Sequence, residues 1–335
     1  MNKSMIDWCD VTLNMITGCN HGCPYCYARQ MTKRFSGNVR QNISRSDEYE
    51  IRDGLYILDK PFMDDGKQVI YPFGFAPTLH RYRKDNLKSL GVSRKVFVGA
   101  MADMFGEWVP DDWIYEVFEA CEAYPRHHYL FLTKNPARYK RILQPQGIKA
   151  WYGTTVTKQK ELQRLWELPK DRNTFLSVEP ILEPISFHEE DLKDLNWIII
   201  GAQTGRAKGK VVPEREWIDA IVVGARAYGV PVFMKESLIP IVGEENMIRE
   251  YPPELMTKEL PPRLKNKLWD VCLVCGEKAP KNQMVTLSAR VGKGVKGKKR
   301  QGKKICVMCR ACYEKWCAQF GIESYVGALY GEGPK

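Results

Sequence analysis

Apolar residues in this chain gather into short runs separated by amphipathic stretches, and the alternation is regular from about residue 95 to 235. Lys95–Gly99, Tyr129–Thr133, Trp151–Val156, Thr174–Val178, Trp197–Gly201 and Val230–Met234 are β-rich. Several are nearly continuous in apolar side chains, the pattern of parallel strands covered on both faces. Between them, Asp112–Tyr124 sets Trp113, Val117, Cys121 and Tyr124 on one helical stripe that Pro125 stops. Pro136 after Asn135 suits a first helical position behind a capping residue. Pro213–Tyr228 predicts a helix burying Trp217, Ile221, Val222 and Ala225, with Gly229 at its C-terminal cap. Strand starts recur about every 22–34 residues, the length of a βα unit, and Val11–Ile16 supplies an earlier strand. Six or seven such units predict an α/β fold, a partial or complete (β/α) TIM-type barrel; an open doubly wound sheet gives a similar pattern. In either architecture the chemistry belongs at the C-terminal ends of the strands.

Residues 36–92 interrupt the pattern with Pro, Gly and mixed charges, and read as an irregular insertion capping that face of a 1–240 barrel. Pro252, Pro253, Pro261 and Pro262 mark a linker over 241–269, followed by a cysteine-rich module over 270–335. With 335 residues, 44% hydrophobic and 27% charged, the chain has globular rather than disordered composition. No stretch approaches the ~18–20 consecutive apolar residues of a membrane helix, and MNKSMIDWCD lacks an apolar signal core. The expectation is a cytoplasmic protein without a membrane partner, whose 11 cysteines are reduced and serve as metal ligands or buried thiols. The net charge of +11 is concentrated: eight of the fifteen residues from Arg290 to Lys304 are basic and none is acidic. Such a patch predicts a polyanionic partner, nucleic acid foremost, with a solvated loop as the alternative.

The most informative stretch follows the first strand: Cys19, Cys23 and Cys26 in C-x3-C-x2-C spacing, with Tyr25 just before the third cysteine. Three thiols so close cannot all pair as disulfides. They can bind three irons of a [4Fe–4S] cube, leaving the fourth iron open to a small molecule. This spacing, the aromatic residue and the position after strand one resemble the radical S-adenosylmethionine (SAM) superfamily. The resemblance extends over most of residues 8–236, through Phe75–Tyr82, Val98–Phe105, Phe131–Pro136, Ser177–Pro180 and Ile199–Gly205. It looks closest to an uncharacterised, phage-associated branch, with motif-level similarity to spore photoproduct lyases.

The resemblance implies SAM as cofactor, reductive cleavage to a 5′-deoxyadenosyl radical, and a reductant such as flavodoxin or ferredoxin. It also implies that Cys19, Cys23 and Cys26 ligate the cluster, that Tyr25 lies beside the adenine, and that the Tyr27 backbone bonds its edge. Asp103 would accept from the SAM ammonium, and Thr154 and Thr155 would meet its ribose or carboxylate. Glu179 would serve the site or anchor its loop, and the Gly201–Gly205 turn with Gln203 would approach the adenine. Two departures stand out. Gly99–Ala102 holds no cysteine where photoproduct lyases carry a hydrogen donor, which argues against thymine-dimer repair; Gly201-Ala202-Gln203 stands where relatives more often have a glycine pair and an acid.

Near the other end, Cys272 and Cys275 form one CxxC pair, and Cys306, Cys309, Cys312 and Cys317 follow. Two such pairs predict a tetrahedral zinc site, best built from Cys272, Cys275, Cys309 and Cys312, with Cys306 and Cys317 as alternatives. An auxiliary iron–sulfur cluster is the rival. The Arg290–Lys304 loop lies between the pairs, placed to clamp a phosphate backbone. Its Gly292-x-Gly294-x-x-Gly297 is not a nucleotide fingerprint, because no strand precedes it and no apolar helix follows. Cys121 reads as core, and Cys9 as core or a radical-relay thiol. Three functions follow: a radical SAM enzyme modifying or repairing a nucleic-acid base; one acting on a protein, peptide or nucleotide metabolite; or a non-catalytic nucleic-acid-binding protein on a barrel scaffold.

Overall fold

All seven β-rich runs form strands of one parallel sheet in a computed structural model of the chain: β1 Val11–Leu13, β2 Lys95–Val98, β3 His128–Thr133, β4 Lys149–Thr155, β5 Asn173–Val178, β6 Trp197–Ile200 and β7 Val232–Met234. The structure describes residues 4–205 and 209–256, strands Trp269–Val271, Lys278–Pro280, Met284–Ala289 and Lys303–Cys309, and residues 312 and 315. The sheet order is the chain order, β1 to β7, every neighbouring pair parallel. A doubly wound sheet reverses its order at a switch point. Uninterrupted order means each crossover advances the same way, and the sheet curls into a partial barrel.

Pleat parity assigns the faces. Phe97, Phe175 and Trp197 share the inner face, as their register through Leu130, Trp151 and Gly153 requires. Trp8 inserts against all three, with ring centroids 4.6, 6.1 and 6.2 Å away. Gly153 is small by necessity, since a Cβ there would sit 2.4 Å from the Phe175 ring. The outer face carries Phe131 and Tyr152, covered by Phe118 of the helix Asp111–Glu122 and by Tyr139. The interior is therefore a packed core rather than a channel.

The helices α2, Asp111–Glu122, and α3, Arg215–Ala227, form close to expectation. Gly229 takes φ +68° after α3, which suits a C-terminal cap. Trp217 is only half-buried; Ile218 fills the core position beside Ile221, Val222 and Ala225. Pro136–Lys140 is a 3₁₀ turn rather than an α-helix. The Asn135 side chain, expected to cap it, bonds Phe105 O (3.0 Å) and Glu107 Oε1 (2.8 Å), so the segment tightens uncapped.

The first strand also divides. Asn14 turns aside, its carboxamide accepting from Met101 N (3.1 Å). Ile16–Thr17 then joins a second sheet, ordered Ile16–Thr17, Thr78–His80, Leu55–Leu58, Glu50–Arg52. The insertion thus has its own sheet and a core of Leu58, Phe62 and Phe73, with Tyr56 stacked on Phe73 at 4.0 Å.

By internal packing the chain divides into Met1–Val242 and Gly243–Lys335. The second unit contains two antiparallel pairs, Trp269–Val271 with Lys278–Pro280 and Met284–Ala289 with Lys303–Cys309. Cys272, Cys275, Cys317 and residues 290–302 of the basic run lie outside the described residues. Cys306 and Cys309 fall in the last strand, and Cys312 is half-buried. Among the described residues no helix is long and apolar enough to cross a membrane.

Candidate functional site

The three-cysteine loop leaves the second sheet through Gly18, whose φ of +86° admits glycine readily. A Cβ at Gly18 would fall 2.3 Å from Ala76 O, so the backbones touch there. Gly18 N donates to Met101 O (2.9 Å) and Cys19 N to Phe75 O (3.3 Å), clamping the loop between the segment after β2 and the insertion. Cys26 caps helix α1, Tyr27–Arg34, its sulfur accepting from Arg29 N at 3.4 Å. The Arg29 guanidinium reaches back to Cys19 O (3.3 Å) and stacks on Phe75, so cap and loop entry are tied together.

Two neighbouring strands hold this loop from beneath. Asp103, buried after β2, accepts from Phe105 N (3.1 Å), the Thr133 hydroxyl (2.7 Å) and Lys134 N (2.9 Å), and lies 2.7 Å from His21 Nε2. His21 sits between Cys19 and Cys23, edge-on to Trp108. Asp103 therefore joins the ends of β2 and β3 to the cysteine loop, and its acceptor positions are engaged within the protein. Lys134, following β3, donates to Cys23 Sγ (3.3 Å) and the Tyr25 hydroxyl (2.6 Å), with its ammonium 4.9 Å from the Tyr25 ring centre. Burial alone would lower the Lys134 pKa, but contact with Tyr25 and Cys23 raises it, so the amine is charged at neutral pH.

Further along the same strand ends lies a second polar group. Thr154 and Thr155 are split by the pleat. Thr155 shares the inner parity of Ser177, whereas Thr154 faces outward and donates to Thr133 O (3.0 Å). Glu179, after β5, pairs with the Lys235 ammonium after β7. Gly201, after β6, leaves room for both: a Cβ there would lie 3.1 Å from Lys235 and 3.4 Å from Glu179. Ser237 Oγ accepts from Ala202 N (3.0 Å), and Gln203 accepts from Val211 N (3.2 Å). Tyr27 links the two groups. Its hydroxyl donates to Ala100 O (2.5 Å), and its pKa is raised by burial and then by the neighbouring charges of Glu179 and Cys26.

Cys19, Cys23 and Cys26 are free, half-buried thiols on one loop. Burial pushes the Cys19 thiol up to about 11; the His21 N–H opposes this, while Asp103, Cys23 and Cys26 reinforce it. Among the described residues no three His, Cys, Asp or Glu side chains close around a common point as a metal site. The donor set itself is three soft sulfurs with no disulfide, which fits an iron–sulfur group, and a bound cation would deprotonate them. Cys9 is buried and pushed up to about 12, first by burial, with its sulfur near Ser4 Oγ (3.3 Å); Cys121 is buried in α2. The sequence reading missed Lys134, His21 and Lys235. Each stands at a strand's C-terminal end or between the cysteines, and that position was the available signal. Cavities of about 240 and 780 Å³ around Trp166 open instead on the loops preceding β4, β5 and β6, the opposite end of the sheet.

A family model described as "Protein of unknown function (DUF5131)" matches residues 3–309. No curated protein matches the chain. Among solved structures, a spore photoproduct lyase point mutant is similar at 10% identity, covering 67% of this chain and 75% of its own, with TM-score 0.39. A spore photoproduct lyase complexed with dinucleoside spore photoproduct covers 96% and 74% at 10% identity and TM-score 0.36. A double mutant of that lyase with bound AdoMet and the same dinucleoside covers 96% and 79% at 10% identity and TM-score 0.35.

Proposed function

The chain belongs to the DUF5131 family, and from that premise we propose that it is a radical SAM enzyme acting on a nucleic-acid base. The observation that carries the first half is the C-x3-C-x2-C loop at the C-terminal edge of β1, braced by Asp103 and Lys134 from the next two strands. Cys19, Cys23 and Cys26 would hold a [4Fe–4S] cluster, which when bound with SAM supplies the electron that cleaves the C5′–S bond to methionine and a 5′-deoxyadenosyl radical. Lys134 fixes Cys23 and Tyr25 in one geometry and places positive charge beside thiolates that would otherwise repel one another. Asp103 orients His21 and the loop rather than offering a vacant carboxylate, so engagement of a SAM ammonium by Asp103 would require His21 to yield. Thr155, Glu179 and Gly201 line the inner face of the same strand ends, where a nucleoside and an amino-acid carboxylate would find polar partners. The aromatic packing of Trp8 below them excludes water from the barrel interior.

The nucleic-acid half rests on the Arg290–Lys304 charge run. A base within a duplex would have to be flipped out or presented single-stranded. The cysteine-rich end is proposed as a zinc module through Cys272, Cys275, Cys309 and Cys312. Anaerobic reconstitution followed by SAM and dithionite tests the reading. It predicts 5′-deoxyadenosine, stimulated by DNA or RNA, with about four irons and one zinc per chain, and none of the product from Cys23→Ala. About eight irons and no zinc would favour an auxiliary cluster; no product from loaded wild type would overturn the enzyme.

A further inference from the structure

The two cavities beside Trp166 differ in charge, and Trp166 stands between them. It lies on the 3₁₀ segment Gln159–Glu167 and is 60% exposed. Its indole is nevertheless pinned: Nε1 donates to Asp191 Oδ1 (3.3 Å), and Asp191 Oδ2 accepts from His188 N (2.9 Å). Trp166, Leu168, Pro169 and Lys170 line both cavities. The larger one alone has Lys140, Arg141 and Arg172 against Asp171, and beside them Leu143, 76% exposed. The smaller one alone has Glu190, Asp191 and Asp194 against Lys193, with the buried Leu165 and Leu195 behind them. Glu190 and Asp194 enter no ion pair among the described residues. Lys140 meets Glu167, Arg141 meets Glu107 and Arg172 meets Asp171, exposed pairs that exchange partners at little cost.

We propose that this surface, centred on Trp166 with Lys140 and Arg172 on one side and Glu190 and Asp194 on the other, binds a second copy of the chain in a two-fold dimer. A two-fold interface sets one patch against itself, so the patch must be self-complementary. A rotation about an axis near Trp166 meets that condition. The basic cavity of one copy faces the acidic cavity of the other, twice, and the two indoles meet near the axis. A pinned, exposed tryptophan loses little freedom on contact, and tryptophan is enriched among the side chains that anchor interface cores. Leu143 leaves water in the same step. A nucleic acid suits the surface less, since its phosphates would face Glu190 and Asp194 as well as the bases. A partner of one charge sign would match one cavity and oppose the other. The surface lies at the end of the sheet away from the cysteine loop, so pairing there leaves that loop uncovered in each copy. The inference depends neither on the cluster nor on the substrate.

Sedimentation velocity of the whole chain over a concentration series is the test. Expected is a dimer that weakens as salt is raised. Trp166→Ser should raise the dimer dissociation constant at least about tenfold, and so should K140E/R172E and E190K/D194K, each with an unchanged circular dichroism spectrum. Mixing the two charge-reversed variants in equal amounts should restore a dimer near wild-type strength. Each reversed cavity then faces a reversed partner, and each native cavity a native one, a rescue that misfolded variants could not give. Wild type that stays monomeric at about 0.1 mM would overturn the proposal. So would a dimer that all three variants leave intact, or charge-reversed variants that fail to pair with each other. Single-stranded oligonucleotide binding by monomeric wild type, lost in Trp166→Ser, would also overturn it and assign the surface to nucleic acid.

Discussion

The two ends of the same seven strands are built on opposite principles. At the N-terminal end of the barrel interior, Trp8 closes on Phe97, Phe175 and Trp197, and Gly153 is kept small so that the Phe175 ring can lie over it. At the C-terminal end the strands finish in Asp103, Lys134, Glu179 and Lys235, which spend their polar atoms on one another and on the cysteine loop. One end is held by area and shape, which no single hydrogen bond decides. The other is held by a few saturated polar contacts, where losing one partner strands several others. Stability and chemistry are thus separable, and substitutions at the two ends should fail differently.

The largest effect is expected at the packed end. Trp8→Ala removes the interior plug and should cost about 3–5 kcal/mol in chemical denaturation, while chains that remain folded keep wild-type iron per molecule. At the polar end, Asp103→Ala leaves the Thr133 hydroxyl, two backbone N–H groups and His21 without their acceptor, for about 3 kcal/mol. Here iron uptake should fall further than stability does, and equal losses in both would erase the distinction. Gly18→Ala sharpens it: the added Cβ meets Ala76 O, so the loop must shift, at about 1–3 kcal/mol, with reduced iron binding and little change in the barrel.

The smallest effect is acid sensitivity. Burial lowers His127 and His128 to about 4, assisted by Arg126 and Lys149 respectively, and His80 well below the ordinary histidine value. The unfolded chain takes up these protons before the folded one does. Stability is therefore intact above about pH 6.5 and declines towards pH 4. Denaturation at pH 6.5 and 5.5 should differ by about 1 kcal/mol or more, and His80→Gln should reduce the difference.

The strands were legible because burial on both faces writes near-continuous apolar runs, and Tyr129–Thr133 or Trp197–Gly201 need no tertiary context to be recognised. Their order in the sheet was not written locally, and only that order, read from which strands pair, distinguishes the sequential partial barrel from a doubly wound sheet. The insertion hid its sheet because its strands are two to four residues long, too short for a period to emerge. Asn135 misled as a cap because its amide is drawn to Phe105 and Glu107, a contact that sequence spacing does not encode. The cysteines announce themselves by spacing alone. Lys134 and His21 do not, since an isolated basic residue becomes meaningful only when a strand end delivers it to a sulfur or a carboxylate.

The central claim is that three thiols of one loop hold an iron–sulfur group with one metal position left for SAM. Electron paramagnetic resonance of the reconstituted, dithionite-reduced protein, recorded before and after SAM addition, tests it directly. The account predicts a cluster signal that changes when SAM binds and is missing from Cys23→Ala. A signal indifferent to SAM, or one that persists in Cys23→Ala, would contradict it.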